Sequence, residues 1–287
     1  MREAVTLNQA FVAAASALRR GGIDTPELDA RLLLCHAASL SHEAYIAKAR
    51  EELQHEAGAR FDESVARRLK REPVARITGM REFYGRSFLL DPHGLDPRPD
   101  TETLIETALA LVARKGWREK PLNILDLGTG TGCILITLLA ELPNARGLGT
   151  DMSQGALRLA AANARALGVA SRAAFIAADW LDGIGGKFDL IVSNPPYLAS
   201  AEIAELAGEV AGYDPILALD GGPDGLQAYR HIAAGAGRVL AEGGSLLFEI
   251  GPTQGEAVAG ILSARGLNSE GVERDRALRP RVVVGAR

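Results

Sequence analysis

Residues 188 to 197 read Phe188-Asp189-Leu190-Ile191-Val192-Ser193-Asn194-Pro195-Pro196-Tyr197, a buried strand that runs directly into a stiff polar loop. Leu190, Ile191 and Val192 form the short apolar run of a strand covered on both faces. Pro195 lacks the donor N–H that a strand interior needs, so the strand is expected to end at Ser193 or Asn194. Ligands of open parallel sheets bind in the crevice beyond the carboxyl ends of the strands, which places Asn194, Pro195, Pro196 and Tyr197 where chemistry should sit. The two prolines fix φ and remove two donors, so the carbonyls of Asn194 and Pro195 can be held outward in one geometry.

Working outward, strands and helices alternate. Strands are expected over 122–127, 145–150, 173–177, 188–193 and 245–250, with helices over 133–142, 153–167, 202–210, 226–240 and 254–265. A terminal pair near 268–275 and 281–285, joined by a short polar link, reads as an antiparallel hairpin at one edge. The pattern is that of an α/β fold with a doubly wound, mostly parallel seven-stranded sheet of Rossmann-like type.

Upstream the texture differs. Residues 1–73 read as a helical domain: one helix over 7–20 with Phe11, Val12, Ala15 and Leu18 on one side, and a second from the Thr25 cap and Pro26 that buries Leu28, Leu32 and Leu33. Ser41 starts a third helix that runs through Leu53, a fourth covers 56–71, and Pro73 ends the series. This domain has no catalytic constellation, which suits a module for recognising a partner protein. Residues 74–99 are β-prone runs punctuated by glycine, a hairpin linker. Pro97-Arg98-Pro99 then leads rigidly into a helix near Asp100, inside a catalytic domain of residues 100–287.

Composition excludes several classes. With 47% hydrophobic and 24% charged residues and a net charge of -4, the chain reads as an ordinary globular protein, not one that binds phosphates over its whole surface. Residues 60 to 86 carry basic positions 60, 67, 68, 70, 71, 76, 81 and 86 against acidic positions 62, 63, 72 and 82, read as the solvated face of a helix rather than a docking patch. No membrane span or signal-peptide core is present, so a cytoplasmic location is expected. Cys35 and Cys133 lack any C-x-x-C spacing and none of the five histidines falls in a ligand spacing, so no metal is expected.

Asp126-Leu127-Gly128-Thr129-Gly130-Thr131-Gly132 closes the first strand of the sheet and opens a helix. A dinucleotide fingerprint would place its third glycine at 133, which is cysteine. The G-x-G-x-G turn suits a ligand without a pyrophosphate that still brings an anionic group to the helix N-terminus, such as the carboxylate of S-adenosylmethionine. Asp151, about twenty residues on, stands where an acid accepts from both ribose hydroxyls. Asp179-Trp180 follows the next strand, where a flat side chain can cover an adenine.

With these residues in place the chain closely resembles the HemK/PrmC family, the S-adenosylmethionine-dependent protein-(glutamine-N5) methyltransferases of peptide chain release factors. The resemblance covers nearly the whole length. It rests on Glu72-Pro73, Gly79, Glu82-Phe83-Tyr84-Gly85, Pro97-Arg98-Pro99-Asp100-Thr101-Glu102, the 126–132 turn, Asn194 to Tyr197, and Asp214-Pro215 with Leu217-Ala218-Leu219, Gly221-Gly222 and Asp224-Gly225-Leu226. The N-P-P-Y loop alone is shared with adenine-N6 and guanine-N2 methyltransferases of nucleic acids; the P-R-P-D-T-E segment narrows the choice. Asp96 departs from the family, which usually has an apolar residue there, and bears on local packing. The resemblance implies that Gly128, Thr129, Gly130, Thr131, Gly132, Asp151, Trp180 and Asn194 contact the cofactor, leaving S-adenosylhomocysteine as product. It implies that Asn194, Pro195, Pro196 and Tyr197 hold the glutamine of a release factor's Gly-Gly-Gln loop.

A carboxamide nitrogen is a poor nucleophile, so positioning must do most of the work. The Asn194 side-chain oxygen and the Pro195 carbonyl are expected to accept the two amide hydrogens while Tyr197 stacks on the amide plane. The alternative is a nucleic-acid exocyclic-nitrogen methyltransferase, which would favour a basic face and exposed aromatics in the first domain. The first 73 residues carry only Phe11, Tyr45 and Phe61, so no direct nucleic-acid substrate is expected. A cofactor-binding protein without catalysis is a third reading, against which the intact Asn194 loop and glycine turn speak.

Overall fold

A computed structural model describes residues 5–205 and 212–287. They form two compact units, the first over residues 5–80 and 212–213 and the second over 81–205 and 214–287.

The first unit is helical: α1 (Leu7–Arg20), α2 (Pro26–Ala38), α3 (His42–Lys48), α4 (His55–Leu69) and α5 (Val74–Thr78). α1 is closed by a reciprocal capping box, Gln9 N–H to Thr6 Oγ1 at 3.2 Å and Thr6 N–H to Gln9 Oε1 at 2.8 Å. Ser41 caps α3 as expected, but Thr25 makes no cap; its hydroxyl donates to Asp29 instead, at 2.9 Å. Leu28, Leu32 and Val12 are exposed, against expectation. α2 turns inward the i, i+3, i+4, i+7 set Ala30, Leu33, Leu34 and Ala37, and α1 turns in Leu7, Ala14, Ala15 and Leu18. α3 stops short of Leu53 because residues 51–53 pair their backbone with the chain at Val5–Leu7. Pro73 begins a further helical turn instead of ending the series, so the first unit extends to Met80.

The basic run from 60 to 86 is not simply the solvated face of a helix, since half of its basic side chains are tied into the helical unit. Arg60 donates to the Ala37 carbonyl, Arg71 to those of Gly21 and Gly22, Arg67 pairs with Glu72, and Arg68 makes a buried 2.7 Å pair with Asp29.

The second unit opens with the hairpin β1 (Met80–Phe83) and β2 (Arg86–Leu89). After a 3₁₀ turn at Pro99–Thr101 come α6 (Glu102–Arg114), β3 (Asn123–Leu127), α7 (Cys133–Glu141), β4 (Arg146–Asp151), α8 (Gln154–Ala166), β5 (Ala173–Ala177) and β6 (Phe188–Ser193). A 3₁₀ turn at Glu202–Glu205 occupies the start of the expected 202–210 helix, whose remainder lies outside the described residues. The chain ends with α9 (Gln227–Val239), β7 (Leu240–Glu249), α10 (Gly255–Ser263), β8 (Asn268–Arg274) and β9 (Pro280–Ala286).

The seven strands lie in the order β5-β4-β3-β6-β7-β9-β8, parallel except for β9, which runs antiparallel to both its neighbours. Side-chain alternation splits the core into two layers. Leu190 and Val192 join Leu104, Ile105 and Leu135 on one face, while Ile191 joins Tyr229, Ile232 and Val258 on the other. Each such fully buried side chain contributes roughly 1.5–3 kcal/mol. α7 is apolar nearly all round because it is enclosed. Chain order reverses between β3 and β6, so the carboxyl ends of these two strands open the crevice in which ligands of this architecture bind.

Candidate active site

β6 ends at Ser193, whose hydroxyl donates to the Leu127 carbonyl at 2.7 Å and locks the two strand ends together. The glycine turn follows Leu127, and Gly128, Gly130 and Gly132 all adopt the left-handed backbone that favours glycine. At Gly130 a β-carbon would meet nothing within 4 Å. At Gly132 it would stand 2.7 Å from Ile136 and 3.1 Å from the Ala160 side chain, so this glycine lets α7 approach α8.

A cleft of about 250 Å³ lies over this turn and is lined by Gly128, Gly130, Asp151, Trp180, Asn194 and Pro196 among others. Asp151 is held from two sides: Oδ2 accepts from Gly130 N–H at 3.0 Å and Oδ1 from Ser153 N–H at 2.9 Å. Trp180 stacks toward Gly128 and adopts φ +49, a left-handed conformation that costs a bulky residue energy and is concentrated at functional sites.

Thr129, Thr131 and Gly132 are not among the lining residues. The Thr129 hydroxyl donates to Asp126 Oδ2 at 2.7 Å, and the Thr131 carbonyl accepts from Asn163 Nδ2 at 2.9 Å, so these residues build the turn from behind. Pro195 is buried and Tyr197 packs into the apolar layer beneath α9, its carbonyl accepting from Gln254 Nε2 at 2.9 Å.

Four features escape a reading of the sequence. Pro92, His93 and Leu95, on the chain leaving the hairpin, line the cleft. Asp126 is fully buried, and its carboxyl is pushed up to about 7 by burial. Thr101 accepts from Asn194 Nδ2 at 3.3 Å, and Glu249, 1% exposed at the end of β7, lies against both. The polar segment before α6 is therefore a set of braces. Arg98 pairs with Asp214 at 2.6 Å, Asp100 with Arg281 at 2.8 Å, Thr101 with Asn194, and Glu102 accepts from the Tyr84 N–H. Asp96, the departure noted above, is buried 3.3 Å from Arg81 Nε, so a partner cation replaces apolar packing.

The fold and the comparisons that follow define an S-adenosylmethionine-dependent methyltransferase. A family model described as PrmC N-terminal domain matches residues 9–79, and one described as methyltransferase small domain matches residues 105–210. The chain is 49% identical over 274 residues to the release factor glutamine methyltransferase of Cereibacter sphaeroides, covering 96% of each, and 48% identical over 258 residues to that of Rhodospirillum rubrum, covering 90% of this chain and 78% of the other. It belongs to the release factor glutamine methyltransferase family. A solved methyltransferase from Pyrococcus furiosus shares the fold, with a TM-score of 0.50 at 17% identity over 77% of this chain and 96% of the other.

Proposed function

We propose that the chain transfers the methyl group of S-adenosylmethionine to the side-chain amide nitrogen, N5, of the glutamine in a release factor's Gly-Gly-Gln loop. The observation that carries this reading is the Asn194 carboxamide, which lines the cleft and spends its Nδ2 on Thr101, leaving Oδ1 as one acceptor, with the carbonyl of the following Pro195 proposed as the second. Two acceptors suit a group that brings two N–H bonds.

The cleft fits the donor. Gly128 and Gly130 bring bare backbone to its floor, Asp151 supplies carboxylate lone pairs, and Trp180 offers a flat face. The bound donor supplies an electrophilic methyl on a sulfonium. Asn194 and Pro195 would accept the substrate's amide hydrogens and turn its lone pair toward the donor. As positive charge grows on nitrogen those hydrogen bonds strengthen, which is differential stabilisation of the transition state. Alignment of this kind can supply roughly 7–11 kcal/mol, so no general base is needed before transfer.

The test is methyl transfer from labelled S-adenosylmethionine to a purified release factor, beside its Gly-Gly-Ala variant and a total RNA and DNA control. Label confined to the intact factor is expected. Label in nucleic acid alone would leave the Asn194 loop as a nitrogen-methylating site and overturn the substrate.

A further inference from the structure

Glu249 is the last residue of β7, following Leu246, Leu247 and Phe248, all fully buried. It is 1% exposed, its Oε2 has no hydrogen-bond partner among the described residues, and its backbone carbonyl is fixed by the Tyr229 hydroxyl at 2.9 Å. Its carboxylate lies close enough to the Thr101 hydroxyl and the Asn194 amide for both to favour its ionised form. Arg281 also faces it, but that guanidinium is shared with Asp100 at 2.8 Å and Asp275 at 3.6 Å. A buried carboxylate held this weakly contributes little to stability. Its position requires another account.

An ionised carboxylate has only acceptors, whereas a carboxamide has an acceptor end and a donor end of nearly equal size. Placed beside Glu249, the Asn194 carboxamide must turn its NH₂ inward, toward Glu249 and Thr101, and its oxygen toward the cleft. Thr101 alone could not enforce this, because a hydroxyl serves as donor or acceptor. We infer that Glu249 is a positioning residue that, together with Thr101, fixes the orientation of the Asn194 carboxamide and so makes the cleft select a substrate that donates N–H. A flipped Asn194 would present a donor and would welcome a carboxylate. This rests on the reading that the Asn194 oxygen receives the substrate amide.

The orientation should depend on pH, because burial pushes the Glu249 carboxyl up to about 7 against the hydrogen bonds of Thr101 and Asn194 and the charge of Arg281. The groups that face it are Arg281 from β9, Asp100 from the turn before α6, Tyr229 from α9, Tyr197 from the loop after β6 and Cys133 from α7. Burial raises both tyrosines and the cysteine, so none of these three ionises in the neutral range, and the carboxyl titrates there alone among them. Once protonated it can donate, and the Asn194 amide loses its preferred direction.

The experiment compares the full-length wild type with E249Q and T101V in two readouts. In the first, the Asn194 side-chain amide resonances of the free enzyme, assigned by their loss in N194A, are followed by NMR from pH 5.5 to 8.5. They should shift with a midpoint near 7 in the wild type and stay still in E249Q; a wild-type amide that does not respond overturns the inference. In the second, kcat for release-factor methylation at saturating S-adenosylmethionine should show an acid limb in the wild type. In E249Q it should be roughly 10- to 100-fold lower at pH 8, the scale on which supporting partners of a site ligand act. That limb should also be missing from E249Q, while cofactor affinity measured by calorimetry changes less than twofold. T101V should keep the limb and lose part of kcat. An E249Q enzyme with wild-type kcat and pH profile overturns the inference. A wild type that leaves the release factor unlabelled while its Asn194 amide titrates overturns the proposed substrate and supports the positioning role.

Discussion

Asn163 and Leu89 are paired twice: the Leu89 N–H donates to Asn163 Oδ1 at 2.7 Å, and Asn163 Nδ2 donates back to the Leu89 carbonyl at 3.1 Å. The same nitrogen also donates to the Thr131 carbonyl at 2.9 Å. One buried amide on α8 therefore joins the second hairpin strand to the glycine turn. It fixes where the following Pro92, His93 and Leu95 meet the cleft. Asn163→Ala would leave three backbone groups without their partner, one of them, the Thr131 carbonyl, buried, a loss of about 1–3 kcal/mol in urea unfolding. Cofactor affinity should fall with it. A loss below about 0.5 kcal/mol, the range of an ordinary surface change, would refute the brace.

Gly130 and Gly132 should separate binding from stability. Both have left-handed backbone, at φ +54 and φ +80, but a β-carbon at 130 meets open cleft whereas one at 132 collides with Ile136 and Ala160. Gly130→Ala is expected to cost stability only the left-handed strain, about 1–2 kcal/mol, while blocking close approach of the cofactor. Gly132→Ala should cost more, because α7 and α8 must move apart. Thermal unfolding and calorimetric titration of S-adenosylmethionine would check both. Equal loss of stability in the two variants would count against the distinction.

The centre of the sheet was legible because β3, β6 and the end of β7 are apolar on both faces and the turns carry glycine where the chain must reverse. The helical unit was less so. Leu28, Leu32, Leu33 and Leu34 offer two competing apolar faces, and the choice between them is made by which neighbours pack, not by the period. The loop after β6 could be placed, but its support could not. Thr101 lies 93 positions from Asn194, and the sheet topology alone brings them together. Glu249 did leave a signal: a carboxylate closing an otherwise apolar strand, Leu246-Leu247-Phe248-Glu249-Ile250, is a buried charge that must have a reason. The basic run at 60–86 misled because its partners are mostly backbone carbonyls and distant acids, which no local charge count reveals.

Asp29 and Arg68 form the buried ion pair of the helical unit, with side chains 7% and 8% exposed and 2.7 Å apart. Removing Asp29 takes from the buried Arg68 its 2.7 Å carboxylate, so Asp29→Ala should destabilise by roughly 3–5 kcal/mol. Replacing both by apolar residues of similar volume, D29L with R68M, should recover most of that loss. Chemical denaturation of the single and double variants completes the cycle. A double variant no better than D29A would mean that Arg68 acts through its other contacts.

Stability should decline as pH rises through neutrality, opposite to the usual carboxylate behaviour. Asp126 and Glu249 both have carboxyls pushed up to about 7 by burial, above their ordinary values of 3.8 and 4.5. A carboxyl whose pKa is higher in the folded state binds its proton more tightly there. Its contribution is therefore complete below the unfolded value and is lost as pH passes the folded value. Glu249→Gln removes one ionisation and keeps the shape. It should leave the melting temperature nearly unchanged at pH 5 and raise it at pH 8.5, by several degrees if the gain is a few kcal/mol. Asp126→Asn should do the same, with one difference that separates the two sites: the Thr129 hydroxyl now donates to an ionised oxygen at 2.7 Å, so part of the gain is returned. A wild-type melting temperature that rises from pH 6 to pH 8.5, with no gain in either variant, would mean that both carboxylates are ionised at little cost in the folded protein.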